Sequence, residues 1–229
     1  MILSHAHRFI FLKTNKTAGT SIEIALSKFC GPDDIITPVW PPDEETRKSL
    51  GYRGAQNYLV PFSEYSPRDW IAAALDRSRV RFYNHMRAHQ VKRRVSPEVW
   101  NSYFKFCFER NPWDRVLSHY AWRCRREPRP TLSEFIATDM SRELIRRGIE
   151  VYTIDGQVAV DRVCRYENLP AELEFIQKQL NLPERLELPR AKGSFRADRR
   201  HYRDVLSPED RDTIAAVFRR EIEMHGYVF

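Results

Sequence analysis

A short apolar run that ends in a polar turn and continues as a helix is the feature that most restricts this chain, and it occurs twice. Residues 8–12 (Arg-Phe-Ile-Phe-Leu) read as a strand, 13–19 as a turn and 20–29 as a helix. In that helix Ile22, Ala25, Leu26 and Phe29 recur at i, i+3, i+4 and i+7, one helical face, and Gly31-Pro32 ends it. Residues 104–109 read as a second buried strand. Arg110-Asn111-Pro112-Trp113 follows, then a helix with Trp113, Val116, Leu117 and Tyr120 on one face. Strands that alternate with helices in this way imply an α/β domain with a central, mainly parallel sheet flanked by helices.

The rest of the pattern agrees with that class. Residues 79–83 read as another strand, 97–103 as a short helix and 171–180 as a helix, and 158–166 contain a strand. Pro128-Arg129-Pro130 interrupts the chain, and Thr131 is placed as an N-cap with Glu134 in the reciprocal capping position. Residues 208–225 form the last helix, capped by Ser207. Residues 35–67 are rich in proline, charge and aromatics with weak periodicity. We read 35–76 as a variable excursion or lid inside one domain spanning 1–229, not as a second domain. With 229 residues, 42% hydrophobic and 12% aromatic, the chain is long enough to bury a sizeable core.

Charge narrows the partners without choosing one. The formal net charge of +7 suits an anion: nucleic acid, anionic lipid, or a phosphorylated or sulfated small molecule. No segment approaches the roughly 20 apolar residues that span a bilayer, and the run at 9–12 is too short for a signal-peptide core. The expectation is a soluble, non-exported, cytoplasmic protein. Cys30, Cys107, Cys124 and Cys164 are scattered and show no CxxC spacing, so neither a zinc cluster nor a disulfide framework is indicated. Free thiols fit a reducing compartment.

The first turn has the chemistry of an anion cradle. Backbone N–H groups at a helix start are unpaired and the helix dipole adds positive potential there. Gly19 lets the backbone approach an anion closely. Thr17, Thr20 and Ser21 add hydroxyls, and Lys16 adds a full charge. The loop is not a Walker A motif, because no glycine precedes the lysine in it. On these grounds alone, a capped helix with an exposed lysine accounts for the stretch equally well.

The stretch Lys16-Thr17-Ala18-Gly19-Thr20-Ser21 resembles the 5′-phosphosulfate loop of the Golgi-type carbohydrate sulfotransferases and their soluble bacterial relatives (sulfotransferase family 2). Asn15 stands where that family usually has proline. The second turn resembles the same family's 3′-phosphate motif, with Arg110 at the strand end and Ser118 about two helical turns on. The two motifs occur in the family's order. The resemblance implies a P-loop NTPase-like sulfotransferase fold and 3′-phosphoadenosine 5′-phosphosulfate (PAPS) as co-substrate. It implies a 5′ site over Lys16, Thr17, Ala18, Gly19, Thr20 and Ser21, and a 3′-phosphate site at Arg110 and Ser118. Arg115 and Tyr120 are read as helix packing and pairing. Arg165-Tyr166-Glu167-Asn168-Leu169 is similar to a strand end of the family, read as a structural turn.

Sulfuryl transfer needs a base for the acceptor hydroxyl and positive charge beside the leaving phosphate. The resemblance places the base at His85, in Asn84-His85-Met86-Arg87-Ala88, with His89 as its neighbour. Lys16 then serves both binding and catalysis. No metal is required, and no ligand cluster is visible in the sequence. The basic run at 190–200 adds Lys192 and Ser194 as cofactor contacts, against the equal alternative of a solvated loop. The expected acceptor is a glycan or a small hydroxylated molecule, with no nucleic-acid partner. Trp40, Tyr52, Tyr58 and Trp70 are either sugar-stacking groups or, as the preferred reading, the excursion's own packing. The rival functions are a nucleotide or small-molecule kinase, and a basic non-catalytic nucleic-acid-binding domain.

Overall fold

The computed structural model describes residues 1–138, 140–189 and 200–229. Its order is β1 (Ile2–Ser4), β2 (Phe9–Phe11), α1 (Gly19–Ser27), β3 (Ile35–Ile36), α2 (Pro41–Ser49), α3 (Pro67–Asp76), α4 (Ala88–Lys92), α5 (Pro97–Ser102), β4 (Phe104–Glu109) and α6 (Pro112–Arg123). It continues with α7 (Leu132–Ala137), α8 (Met140–Arg146), α9 (Ile149–Tyr152), β5 (Thr153–Ile154), β6 (Gln157–Val158), β7 (Arg162–Arg165), α10 (Leu169–Gln179), α11 (Pro208–Val217) and α12 (Arg219–His225).

Five strands form one mixed sheet in the order β3-β1-β2-β4-β7. β2 runs parallel to β4, pairing Phe9 with Phe104 and Phe11 with Phe106, and β4 runs parallel to β7, pairing Phe106 with Arg162 and Glu109 with Arg165. β1 lies antiparallel to both β2 and β3. The three parallel strands are the unit expected from the sequence, and the N-terminal strand extends it. Strands covered on both faces read as continuous apolar runs, and β2 and β4 do so because helices flank them on each side. Ile10 and Cys107 face a core completed by Val91, Trp100 and Tyr152. Phe9, Phe11, Phe106 and Phe108 face the opposite core, against Ile22 and Leu26 of α1 and Ile176 of α10. A third cluster joins α6, α7 and α11 through Trp113, Leu117, Phe135 and Ile214.

Two caps follow the sequence. Ser207 accepts from the Asp210 amide at 3.1 Å, and Thr131 and Glu134 form the reciprocal box. The structure adds a third, Asn111, which caps α6 by accepting from the Trp113 amide at 3.1 Å. Three expectations change. Residues 79–83 add no strand to the central sheet. They are extended, but their partners are residues 58–60 of the excursion, through Val60 N to Val80 O at 3.0 Å, Phe82 N to Tyr58 O at 2.8 Å and one antiparallel bridge, Leu59 with Arg81. The span 158–166 divides between β6, which pairs with β5 in a two-stranded hairpin, and β7 in the main sheet. The last helix breaks at Phe218, which leaves helical geometry (φ −103°, ψ 22°) while its ring is buried in the third cluster. The excursion contributes β3 to the sheet edge and continues as α2, which buries Asp43 and Arg47, and α3.

Candidate active site

The parallel pairing of β2 and β4 brings both strand ends, and so both turns, to one edge of the sheet, where ligands gather in open α/β folds. Leu12 N donates to Phe106 O at 2.9 Å, and the Thr14 hydroxyl donates to the carbonyl of Phe108. A cleft of about 320 Å³ opens above these two strand ends. Lys16, Ala18, Gly19, Thr20, Ser21, His85, Arg110 and Ser118 all line it.

The first turn is shaped by its backbone. Lys16 (φ 64°) and Ala18 (φ 57°) both adopt the left-handed conformation without being glycine, a choice that costs on the order of 1 kcal/mol each. The step from left-handed Ala18 into the right-handed start of α1 at Gly19 turns successive N–H groups toward one concavity, an anion nest. The first helical bond of α1 runs from Ile22 N to Ala18 O at 3.1 Å, so the amides at the start of α1 lie ahead of the ladder. Gly19 lines the cleft, and a second reason for a glycine appears on its inner side. A Cβ there would sit 2.9 Å from Lys13 Cγ and 3.3 Å from Thr14 O. The glycine makes room for the Lys13 stem, and its φ is not left-handed. Thr17 is corrected. Its hydroxyl is buried 2.9 Å from Thr14 Oγ1 and ties the loop to the end of β2, outside the cleft lining.

Beneath the loop lies a buried charge cluster. Lys13 Nζ donates to Glu23 Oε2 at 2.8 Å and to Asn84 Oδ1 at 3.3 Å. Glu23 also accepts from the Met1 amino group at 2.9 Å and from Thr37 at 3.0 Å. Burial opposes ionisation of Glu23, but Lys13, the amino group and Arg47 outweigh it and hold the carboxyl down at about 2. The glutamate therefore fixes Lys13 at the cleft floor, and Lys13 in turn holds Asn84 there.

His85 follows the extended segment 79–83 in a left-handed conformation (φ 60°). Its Nδ1 lies 2.9 Å from the Lys13 carbonyl oxygen. A carbonyl only accepts, so Nδ1 carries the proton and Nε2 keeps its lone pair. Burial lowers the His85 pKa, Lys13 and Arg147 lower it further, and it falls to about 3. The ring is thus neutral at neutral pH, in the tautomer that can accept a proton at Nε2. His89 is not its neighbour in the cleft. It lines a different cavity together with Arg93 and Arg94.

Arg110 is held on three sides. Its Nε and one terminal nitrogen donate to Asp114 Oδ2 at 2.9 and 2.6 Å, the other donates to Lys16 O at 3.1 Å, and the guanidinium lies 4.2 Å from the Tyr166 ring centre. The contact with Lys16 O joins the two turns directly. Arg115, four residues past the cap, is fully buried. It pairs with Glu109 and, at 3.3 Å, with Glu221. Tyr120 donates its hydroxyl to Pro130 O at 2.7 Å.

Several lining groups were given no site role in the sequence reading: Lys13, Asn84, Trp122, Arg147 and Tyr166. Trp122 stands four residues beyond Ser118 on the same face of α6, and Lys16 Nζ lies 5.5 Å from its ring centre. Arg147 accepts the Asn15 amide through its carbonyl at 2.6 Å and pairs with Glu143 at 2.7 Å. Tyr166 makes the turn after β7 part of the cleft wall. Trp40 also lines the cleft, whereas Trp70 stacks on Phe62 at 5.7 Å and Tyr58 packs on the core. Lys192 and Ser194 lie outside the described residues. Among the described residues, no group of His, Cys, Asp and Glu side chains is arranged to hold a metal ion, and no helix is long and apolar enough to cross a membrane.

A family model described as the sulfotransferase family matches residues 1–228. An uncharacterized protein of Archaeoglobus fulgidus is 32% identical to the chain over 108 residues, which are 45% of this chain and 88% of that protein. No solved structure matches the chain. The match over nearly the whole chain agrees with the α/β sheet and with the pair of turns at its edge, and the chain belongs to the sulfotransferase family, whose members are PAPS-dependent enzymes.

Proposed function

We propose that the cleft binds PAPS with its phosphosulfate on Lys16, Ala18, Gly19, Thr20 and Ser21 and its 3′-phosphate between Arg110 and Ser118, and that His85 deprotonates a sugar hydroxyl. One observation carries this reading: a single cleft is lined by the loop lysine, the start of α1, Arg110, Ser118 and a histidine whose free nitrogen is Nε2. In the step itself, the acceptor oxygen attacks sulfur as Nε2 takes the hydroxyl proton. The S–O bond to the 5′-phosphate breaks, and its electron pair stays on the phosphate oxygen. Lys16 and the amides at the start of α1 face that developing charge, and because the loop is already folded they need little reorganisation. The donor's negative charge offsets the fields of Lys13 and Arg147, so its binding raises the basicity of His85.

The lining also separates this reading from phosphoryl transfer. A kinase sets an acidic Mg²⁺ ligand beside the phosphates, and among the described residues the cleft is lined by cationic, hydroxyl, amide and aromatic groups without a carboxylate. A carbohydrate acceptor is favoured by Trp40 and Trp122, which offer flat apolar faces with a polar edge on the cleft wall. Residues 35–76, which carry Trp40, act in this reading as an acceptor-side lid on a domain spanning 1–229. Cys30, Cys107, Cys124 and Cys164 are all free, which supports a cytoplasmic location.

Calorimetry with adenosine 3′,5′-bisphosphate tests the donor site. Micromolar binding that does not depend on Mg²⁺ and is weakened at least about tenfold, or about 1.4 kcal/mol, by Lys16→Ala is the expected result. Absence of binding, or a preference for Mg-ATP, would overturn the reading.

A further inference from the structure

α3 joins the body by its polar side. A helix on the surface of a globular protein normally turns its apolar stripe to the core and its charges to water. In α3 only Asp69 and Ala73 are half-buried, and every other residue is exposed. Asp69 pairs with Arg94 of the body at 2.8 Å and closes a reciprocal capping box with Ser66. Ala73 stands one turn beyond Asp69 on that inner face. The outer face carries Trp70, Ile71, Ala74 and Leu75, spaced i, i+1, i+4 and i+5. Ile71 is 61% exposed, Leu75 78% and Trp70 52%. Phe62, also 52% exposed, stacks on Trp70 at 5.7 Å and extends the patch. A contiguous apolar patch on the surface marks a contact with something apolar, and ten residues are too few for a helix to be stable without packing.

The charges around the patch choose between a protein and a lipid cover. Arg68 and Arg77, both exposed, stand at the two ends of the helix, and Arg79 lies 4.6 Å from the Phe62 ring centre. With Arg81, residues 62–81 hold four arginines against Glu64, Asp69 and Asp76, and Arg94 already neutralises Asp69. A second copy docked on this ridge about a twofold axis would set one arginine rim against another, and like charges across an interface cost affinity. An anionic bilayer complements both parts. Its headgroups take the guanidiniums, which reach them on long apolar stems, and its acyl boundary takes the apolar side chains of a convex ridge. Aromatic rings such as those of Trp70 and Phe62 suit that boundary. The net charge of +7 adds to the attraction.

We propose that α3 docks this protein on the surface of an anionic membrane, lying in the plane of the interface with Trp70, Ile71 and Leu75 turned into the lipid. The helix rests on the bilayer and does not cross it. The proposal is independent of what the cleft binds.

Co-sedimentation of the full chain with lipid vesicles tests it. One set is phosphatidylcholine alone, and the other contains about 30 mol% phosphatidylglycerol. Binding to the anionic set is expected to be at least about tenfold tighter and to weaken as salt shortens the reach of the charges. Ile71→Ser with Leu75→Ser should weaken it at least about tenfold, and Arg68→Gln with Arg77→Gln at least about threefold. All four side chains are exposed, so the urea midpoints of both variants should match the parent, which reports that they fold. Absence of binding, equal binding to the two sets, or binding that the two serines leave within about twofold would overturn the proposal. A dimer of the parent in light scattering without vesicles, dissolved by the same two serines, would overturn it too and assign the face to a second copy.

Discussion

The Nδ1 of His85 and the carbonyl oxygen of Lys13 lie 2.9 Å apart, and this contact decides which nitrogen of the ring is free. It also prescribes an informative substitution. Asparagine tolerates a left-handed backbone, so His85→Asn suits the φ of 60°, and its amide N–H replaces the Nδ1 donor toward Lys13. What it removes is the base. Sulfuryl transfer, followed as release of adenosine 3′,5′-bisphosphate from the donor in the presence of sugar acceptors, should fall about 10²- to 10⁴-fold. Binding of adenosine 3′,5′-bisphosphate should be nearly unchanged. Transfer that survives within about threefold would remove His85 from the base role.

Arg110 reaches the cleft already oriented by Asp114, Lys16 O and the Tyr166 ring. Lysine keeps the charge and loses the planar fork. Arg110→Lys is therefore expected to weaken adenosine 3′,5′-bisphosphate by about tenfold or more, the worth of a lost charge-assisted hydrogen bond. Adenosine 5′-monophosphate, which has no 3′-phosphate, should bind the parent and the variant alike. If both nucleotides lose affinity equally, Arg110 supports the loop and does not read the 3′-phosphate.

Gly19→Ala separates two physical arguments by sign. By helix propensity alone, the change in a helix stabilises by about 0.5–1 kcal/mol. The packing says otherwise, because the new methyl would press on Lys13 Cγ at 2.9 Å, and Lys13 holds the buried Glu23. Overpacking of this kind costs about 1–3 kcal/mol. The urea midpoint should drop, and a raised midpoint would show that the Lys13 stem moves aside freely.

The parts of this site that could be read in the sequence are those written in local patterns. The apolar runs at β2 and β4, each leading through a turn into a helix, place Lys16 and Arg110 at one sheet edge, because parallel strands point their ends the same way. Residues 79–83 mislead for a physical reason. Alternation of Val80 and Phe82 with arginines marks an extended, half-buried segment, but it does not say whether its partner is a central strand or, as here, residues 58–60 of the excursion. Trp122 was within reach, since four residues from Ser118 on a helix means the same face. Tyr166 follows a strand end, the place where α/β sites gather. Arg147 had no such signal. It arrives from beyond α8, and only the tertiary contact between its carbonyl and Asn15 N brings it to the loop.

His119 gives the fold an acid-sensitive point that can be isolated. Its ring is buried between Trp122 and Phe135, at 5.9 and 5.8 Å, and neither nitrogen has a hydrogen-bond partner among the described residues. The nearby Glu143 oxygen stands 3.9 Å from Nε2, too far for a hydrogen bond. Burial lowers its pKa, Lys16, Arg123 and Arg147 lower it further, and it falls from 6.5 to about 4. The folded state then stays neutral where the unfolded chain takes up a proton. The contribution to stability is complete above 6.5 and is lost as pH falls toward about 4, at about 1.4 kcal/mol per pH unit. His85 acts in the same sense. Glu221, raised to about 6 by burial, acts in the opposite one, because its folded form keeps a proton that the unfolded carboxyl releases. The total pH profile therefore mixes signs, and a difference measurement is needed. His119→Phe keeps an aromatic ring between Trp122 and Phe135 and removes the titration. Its urea-derived stability relative to the parent should improve steadily as pH is lowered from about 7 to about 5. A constant difference across that range would mean that His119 takes up its proton equally in the folded and unfolded chains.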